Sequence, residues 1–353
     1  TASIIVSGSI QVDLMVQSPD SYGALLQHFT GSKHHNIALR EYALKRKMSL
    51  SEYGIKKNGK LFKFPTEEAF YEKLGMDWIE PELREDTGEI ETAVNHKLPK
   101  LVELKDIKGD LQMHSDFDIE PSHDLGESSM EEMVEKANKL GYEYIAFTEH
   151  NPSQSKHNEK QIIDILKRKK EKVEKLNSSL VKGGKNSIKK VFNSLEIDIL
   201  PDGRLPVPDE GLKLLDFALV AIHSSFKQSR ETATKRVLSA LAHPIVKIFA
   251  HPTGRILGKR EGVEFNWPKI FDFCKEKDKW LEINANPARL DLPDVLVRDA
   301  VKAGVKITFG TDAHHKNGLD DMIFGVSVAR RGWATKADII NTRGVKEFER
   351  MLE

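Results

Sequence analysis

Six runs of the chain end on residues that can ligate a metal. They are Asp110-Leu111-Gln112-Met113-His114, Ile145-Ala146-Phe147-Thr148-Glu149-His150, Ser194-Leu195-Glu196, Val220-Ala221-Ile222-His223, Ile248-Phe249-Ala250-His251 and Thr308-Phe309-Gly310-Thr311-Asp312-Ala313-His314. One histidine at the end of an apolar run is more often a satisfied structural residue than a ligand; six such ends form a pattern. Imidazole and carboxylate together suit zinc, manganese or iron, whereas an oxygen-only set suits magnesium or calcium. So many ligands call for more than one metal, and two metals roughly 3.5–4 Å apart clamp a phosphorus for in-line attack. The implied chemistry is hydrolysis of a phosphate ester. His28, His34, His35, His96, His157, His243 and His315 lack this placement and read as surface or packing residues, while His123 falls inside an acidic loop.

These residues need elements that bring them to one mouth. From Gly109 onward short apolar runs with strand character alternate with helical segments, and the strands end at His114, Thr148, Glu196, His223, His251, Asn284 and Asp312. Ser128, with Glu131 three residues on, predicts a capping box for a helix whose inner face is Met133, Val134, Ala137 and Leu140 and which Gly141 stops. Further helices are predicted over 266–277 and 293–303. Seven strand–helix units predict an α/β fold with a parallel barrel, in which side chains at the carboxyl ends of strands share one face. Ahead of it, residues 1–18 read as two strands joined by Ser7-Gly8-Ser9, 19–95 as a smaller mixed domain and 96–108 as a linker into the barrel at 109–353.

With 39% apolar and 31% charged residues and a mean hydropathy of −0.45, the chain reads as soluble, and no apolar run or leader marks it for a membrane or secretion. A cytoplasmic protein is expected. Cys274 has no partner, which excludes a disulfide framework. The 54 basic residues balance the 54 acidic ones, but the distribution is uneven. Between Lys156 and Lys190 twelve Lys or Arg face four acids, and between Asp110 and Glu132 eight acids face no base. The first stretch, with Lys167, Arg168, Lys169 and Lys170 at its centre, is expected to face nucleic acid, and the second to lie beside a cation-binding mouth. The chain opens at Thr1 inside a strand pattern, which reads as a cut through a domain.

The motifs from Gly109 to the end resemble the PHP phosphoesterase domain, whose pattern is matched at Gln112 and His114, Thr148-Glu149-His150, Glu196, His223, His251 and Asp312-Ala313-His314. The stretch Glu282-Ile283-Asn284-Ala285-Asn286-Pro287-Ala288-Arg289-Leu290-Asp291-Leu292, with His251-Pro252-Thr253-Gly254-Arg255 before it, resembles the version attached to bacterial and archaeal family X DNA polymerases. Phe29-Thr30-Gly31-Ser32-Lys33-His34-His35-Asn36 and Arg40 resemble the nucleotide-facing motif of the family X thumb, and Val12-Asp13-Leu14 the palm strand bearing its third catalytic carboxylate.

The resemblance implies a distorted seven-stranded (β/α)7 PHP barrel preceded by a small α/β polymerase thumb domain. It implies up to three divalent metals, of manganese, zinc or iron, with magnesium possible. Glu196 would bridge two of them, His114 and Asp312 serving the first and His223 and His251 the second, with Asp124, His150 and His314 holding a third. Asp116 and Asp118 are alternatives to Asp124. Arg255 and Arg289 would hold phosphate oxygens, and Gly31, Ser32, Asn36 and Arg40 would face nucleotide. The implied activity is 3'-5' exonuclease or 3'-end processing on gapped or damaged DNA, in a chain whose N-terminal polymerase half is missing. Alternatives are a weakened domain that binds DNA or supports the polymerase, and a small-molecule phosphatase like histidinol phosphatase. Two departures stand out. The partner carboxylates of Asp13 are absent upstream, so DNA synthesis is not assigned to these residues, and Gln112 offers a neutral amide where the pattern has imidazole, which implies weaker binding of one metal.

Overall fold

The computed structural model describes residues 2–180 and 187–353. They form two compact units, divided between Pro99 and Lys100. In the first, β1 (Ala2–Val6) and β2 (Ile10–Leu14) make an antiparallel hairpin whose apolar side chains are exposed on both faces. Helices α1 (Tyr22–Thr30) and α2 (Lys33–Leu44) follow, then the antiparallel strands β3 (Met48–Ser51), β4 (Gly54–Lys57) and β5 (Lys60–Phe62), and α3 (Glu67–Leu74) and α4 (Glu89–Val94). Two buried polar clusters sit in this small core. Arg84 pairs with Glu67 at 2.6 Å, and His35 lies between Glu89 at 2.7 Å and the Tyr71 hydroxyl at 2.9 Å.

The second unit alternates strand and helix: β6 (Gly109–Met113), α5 (Met130–Lys139), β7 (Tyr144–Phe147), α6 (Glu159–Ser179), β8 (Lys190–Asn193), β9 (Glu196–Asp198), α7 (Asp209–Leu212), β10 (Ala218–Ala221), α8 (Arg230–Leu241), β11 (Val246–Phe249), α9 (Trp267–Glu276), β12 (Trp280–Asn284), α10 (Asp294–Ala303), β13 (Ile307–Gly310), α11 (Met322–Arg331) and α12 (Val345–Leu352). The strands form two parallel sheets, β6-β7-β8 and β13-β12-β11-β10-β9. Single bridges, Met113 to Ala313 and His150 to Glu196, join the sheets at both seams. The circle therefore closes with seven strand positions, one of which is split. The expected single strand ending at Glu196 is two, because Ser194-Leu195 leaves the ladder with β7 before Glu196 enters the ladder with β10.

Both faces of the strands are buried, as parallel sheets require. On β7, Ile145 and Phe147 pack in the cluster that also takes in the inner faces of the helices, while Tyr144 and Ala146 pack with Leu219, Ile248, Trp280 and Phe348. The β6–β13 seam is held by side chains: Asp110 accepts from the Thr311 amide at 3.1 Å and hydroxyl at 2.5 Å, and Asn341 donates to the carbonyls of Gly109 and Phe309, both at 2.9 Å. Two boundaries differ from expectation. The capping box before α5 is Ser129 with Glu132, one residue later than Ser128 and Glu131. Leu101 and Val102 are buried and Val102 bonds to Ala334, so the chain joins the barrel unit before the end of the expected 96–108 linker. Among the described residues no helix is long and apolar enough to cross a membrane.

Candidate metal centre

Most strands deliver their polar residue just past their last paired position. His114 follows β6, Thr148-Glu149-His150 follows β7, Glu196 opens β9, His223 follows β10, His251 follows β11, and Asp312 and His314 follow β13. Two of the turns are strained, with His251 at φ 27° and Asp312 at φ 55°. Non-glycine residues in this region cost on the order of 1–3 kcal/mol and persist where surrounding bonds hold them. The His251 amide donates to Glu282 at 2.6 Å and the Asp312 amide to the Gln112 carbonyl at 2.9 Å. Gly310 allows the close approach, since a Cβ there would lie 2.2 Å from Glu282 Oε1 and 2.5 Å from the Gln112 Cβ.

Glu196 is fully buried at the centre. Its Oε1 lies 2.7 Å from His251 Nε2 and 3.2 Å from His223 Nε2, and its Oε2 lies 3.3 Å from His114 Nε2 and 3.8 Å from His150 Nδ1. His114 Nε2 is 3.2 Å from Asp312 Oδ1. Asp124 reaches in from the first loop, 3.1 Å from His150 Nε2 and 3.3 Å from His314 Nε2. The His114 ring stacks on those of His150 and His314, with centroids 4.7 and 4.3 Å apart. Four triplets bring their ligand atoms within 4.8 Å of one another: His114, His150 and His314; His150, Glu196 and His223; His114, Glu196 and Asp312; and His123, Asp198 and His223. The mouth is a cavity of about 240 Å³ whose lining includes Asp124, His123, Arg260 and Arg289.

Charge balance ties the set together. Burial works against a charged His114, but Asp312 and Glu196 outweigh it and raise the imidazole to about 10. Burial likewise opposes charge on His223, and Asp198 and Glu196 raise it to about 9. Desolvation acts to raise Glu196, and the surrounding histidines overcome it and hold its carboxyl well below the usual range. Glu282 beneath the site has no such partners, and burial raises it well above that range.

The donor set fits divalent cations. Both nitrogens of His114, Nδ1 of His150 and of His251, and Nε2 of His314 are buried without a hydrogen bond of acceptable geometry among the described residues. A buried polar atom left unsatisfied costs about 1–3 kcal/mol, and imidazoles clustered around a carboxylate, once deprotonated, offer the lone pairs that a metal would take.

The other expected residues fall less uniformly. Gln112 is buried with its amide nitrogen 2.8 Å from Glu196 Oε2, so it holds that carboxylate instead of turning an oxygen to the mouth. Arg255 does not line the mouth: its guanidinium donates to the carbonyls of Arg289 and Leu290 and braces the loop that carries Arg289. Arg289 does line it, with Nε 3.4 Å from Asp312 and a buried Nη1 without a partner among the described residues. Lys169, expected to face nucleic acid, is fully buried and paired with Glu149 at 2.8 Å, because it falls on the inner stripe of α6. Lys167 and Arg168 are exposed and Lys170 half-buried, while Lys182 and Lys185 lie outside the described residues.

Asp116 and Asp118 do not line the mouth; Asp124 does. In the first unit Ser32 caps α2 by accepting from the His35 amide at 3.3 Å. Asn36 is tied to Gln27 at 2.7 Å and the His28 carbonyl at 2.8 Å, and Arg40 lies 3.4 Å from His28. Gly31 takes φ 76°, and Asp13 is exposed and bonded to Gln11.

Two residues at the site were not singled out in the sequence. Asp198 accepts from His223 Nδ1 at 2.6 Å and His123 Nε2 at 3.0 Å, and Arg260 lines the opening while donating to the Gly254 carbonyl at 2.8 Å. Period-two alternation on β9 gives Asp198 the same face as Glu196, which is a signal for it. Arg260 carries none, since it sits in an irregular loop.

Family models match two segments: the DNA polymerase beta thumb over residues 25–85 and the PHP domain over residues 110–286. The DNA polymerase/3'-5' exonuclease PolX of Bacillus subtilis is 37% identical over 355 residues, which cover 99% of this chain and 60% of that protein. The chain thus spans about three fifths of that relative's length. A probable phosphatase of Thermoanaerobacter sp. is 25% identical over 225 residues, covering 61% of this chain and 84% of the relative. Among solved structures, the histidinol phosphate phosphatase of Lactococcus lactis, complexed with zinc, L-histidinol and phosphate, aligns with a TM-score of 0.45 at 19% identity, covering 64% of this chain and 93% of that one.

Proposed function

The chain belongs to the PHP domain family and has the make-up of the C-terminal region of a family X DNA polymerase, and on that premise we propose that its mouth is a metal-dependent phosphodiesterase that trims DNA from the 3' end. The observation that carries this reading is the set of buried imidazoles gathered around Glu196, several of whose nitrogens, like Nη1 of Arg289 beside them, lack a well-formed hydrogen bond among the described residues. Glu196, His114 and Asp312 would hold one cation, Glu196, His223 and His251 a second, and Asp124, His150 and His314 a third. Manganese, zinc or iron suits this set. Such cations, when bound, make water acidic near neutral pH and offset charge on a phosphate.

The chain's own residues do the rest. Arg289 and Arg260 present guanidinium groups that match non-bridging phosphate oxygens. Asp198 holds the Nδ1 proton of His223 and so turns Nε2 toward Glu196, and Gln112 fixes the Glu196 carboxylate from below. The exposed Lys167 and Arg168 on α6, with Arg40 and Ser32 of the thumb, are proposed contacts for the DNA backbone. We place the activity in the cytoplasm, with gapped or damaged 3' ends as substrates.

An oligonucleotide labelled at its 5' end tests the reading. With Mn²⁺ the expected product is a ladder shortened from the 3' end, abolished by EDTA and by His251→Ala. Intact DNA with manganese, zinc and iron alike, or turnover of L-histidinol phosphate while DNA stays intact, overturns it.

A further inference from the structure

Lys169 lies in the middle of the most basic helix of the chain, yet its side chain is fully buried. It occupies the apolar stripe of α6, in line with Ile162, Ile165, Leu166, Val173 and Leu176. The ammonium donates to the Phe147 carbonyl at 2.9 Å and to the Ser194 carbonyl, and pairs with Glu149 Oε2 at 2.8 Å. The other oxygen of Glu149 accepts from the Ser115 hydroxyl at 2.6 Å and the Ser115 amide at 3.3 Å. The ammonium thus has two carbonyl acceptors and a carboxylate at ion-pair distance.

These partners meet at the split in the barrel. β8 pairs with β7 and β9 with β10, and Ser194-Leu195 is the stretch that passes from one sheet to the other. A buried carbonyl turned out of a ladder needs a donor, and Lys169 supplies it to Ser194. Glu196 comes two residues later, His150 follows Glu149, and Ser115 follows His114. The ammonium and the carboxylate it pairs with are therefore bonded next to three of the candidate ligands, on three strands. Stability alone is a weak reason for this lysine, because a buried ion pair is often no better than an apolar replacement of similar volume.

We propose that Lys169 is a positioning residue for the metal centre: by stapling Phe147, Glu149 and Ser194 it sets His114, His150 and Glu196 at the separation that a cation requires. This rests on the reading of the mouth as a metal centre. The basic helix then has two faces with two roles, exposed lysines outward and one structural cation inward.

The test uses the full chain as Lys169→Met and as Lys169→Met with Glu149→Gln, the second variant leaving no unpaired buried charge. Mn²⁺ affinity is read by calorimetry, Co²⁺ coordination by its visible absorption, the fold by circular dichroism, and DNA affinity across a salt series. The expected result for the folded double variant is a loss of Mn²⁺ affinity of about 10- to 100-fold and an altered Co²⁺ band, with DNA affinity and its salt dependence as in the parent. Unchanged Mn²⁺ affinity and Co²⁺ band overturn the proposal, as does lost DNA affinity with metal binding intact. If neither variant folds, Lys169 serves the scaffold alone and the positioning role falls. Should the parent chain take up no Mn²⁺ that His251→Ala removes, it is the metal-centre reading that fails, and this proposal with it.

Discussion

Metal uptake should expel protons, and the number can be worked out from the site. In the metal-free protein at pH 7, His114 at about 10 and His223 at about 9 are both imidazolium ions, because Asp312, Glu196 and Asp198 outweigh the burial that opposes their charge. Nε2 of each faces Glu196, so a cation bound there must displace that proton. One pKa unit corresponds to about 1.4 kcal/mol, so at pH 7 the His223 proton alone lowers the apparent affinity roughly 100-fold. Affinity should climb steeply with pH between 7 and 9, by up to about tenfold per pH unit for each displaced proton.

Calorimetric titration with Mn²⁺ in buffers of different ionisation enthalpy counts the protons released: about two at pH 7 from these residues, or slightly more because His314 is also raised by Asp124 against its burial. His223→Ala should release about one fewer. The same count in that variant as in the parent, or none in either, refutes the reasoning. The sign carries over to stability. Groups raised in the folded state stabilise it fully below the ordinary histidine value, and that contribution is lost as pH rises through about 9 and 10. The metal-free protein should therefore melt at progressively lower temperature over that range, and the loaded protein should not.

Three further outcomes can be checked directly. Gln112→Leu removes the donor to Glu196 and should lower Mn²⁺ affinity about 10- to 100-fold, whereas Gln112→His puts a ring nitrogen in its place and should raise it; equal affinities in parent and variants would refute both. Arg289→Ala should reduce kcat/KM on labelled DNA roughly 10- to 100-fold, as loss of a charge-assisted bond to phosphate predicts, while leaving Mn²⁺ affinity unchanged. Arg84→Met leaves the Glu67 carboxylate buried with, among the described residues, Trp78 alone to bond it, and should destabilise the thumb unit by about 3–5 kcal/mol in urea melts; a loss below about 1 kcal/mol would show that Glu67 finds another partner.

The barrel was legible because its polar residues obey a rule about strand ends. Short strand-forming runs that stop at His114, His223 or His251 announce both the strand and the face on which the next side chain emerges. The split at Ser194-Leu195 was not legible, since the apolar pattern runs straight through Val191, Phe192, Leu195 and Ile197 and only the pairing partners change. The family resemblance could point to Asp124 and Gln112 for the site but not to how they sit in it. Asp124 enters across a long loop, and the direction of the Gln112 amide is decided by Glu196, which is 84 residues away. Arg255 misled for a related reason: the sequence places it near the mouth, but nearby carbonyls take its guanidinium and Arg260 lines the opening instead.

The basic stretch shows why charge counted along a chain differs from charge presented to a partner. A helix turns 100° per residue, so the seven cations that fall within α6 point to several faces. Lys169 goes to the core. Lys167 lies 3.6 Å from Asp164, Lys170 3.9 Å from Glu174 and Lys189 2.9 Å from Glu143, and Lys172 pairs with Glu131. Lys156, Lys160, Arg168 and Lys175 stand exposed. The expected anion-facing arm is thus narrower than its composition. The hydrophobic period that gives α6 its inner stripe puts Lys169 inward, against the expectation from charge, for it stands seven residues after Ile162 and four before Val173. When a charge falls on an apolar stripe, burial decides its role, and the partner to look for is a buried carbonyl or carboxylate within the fold.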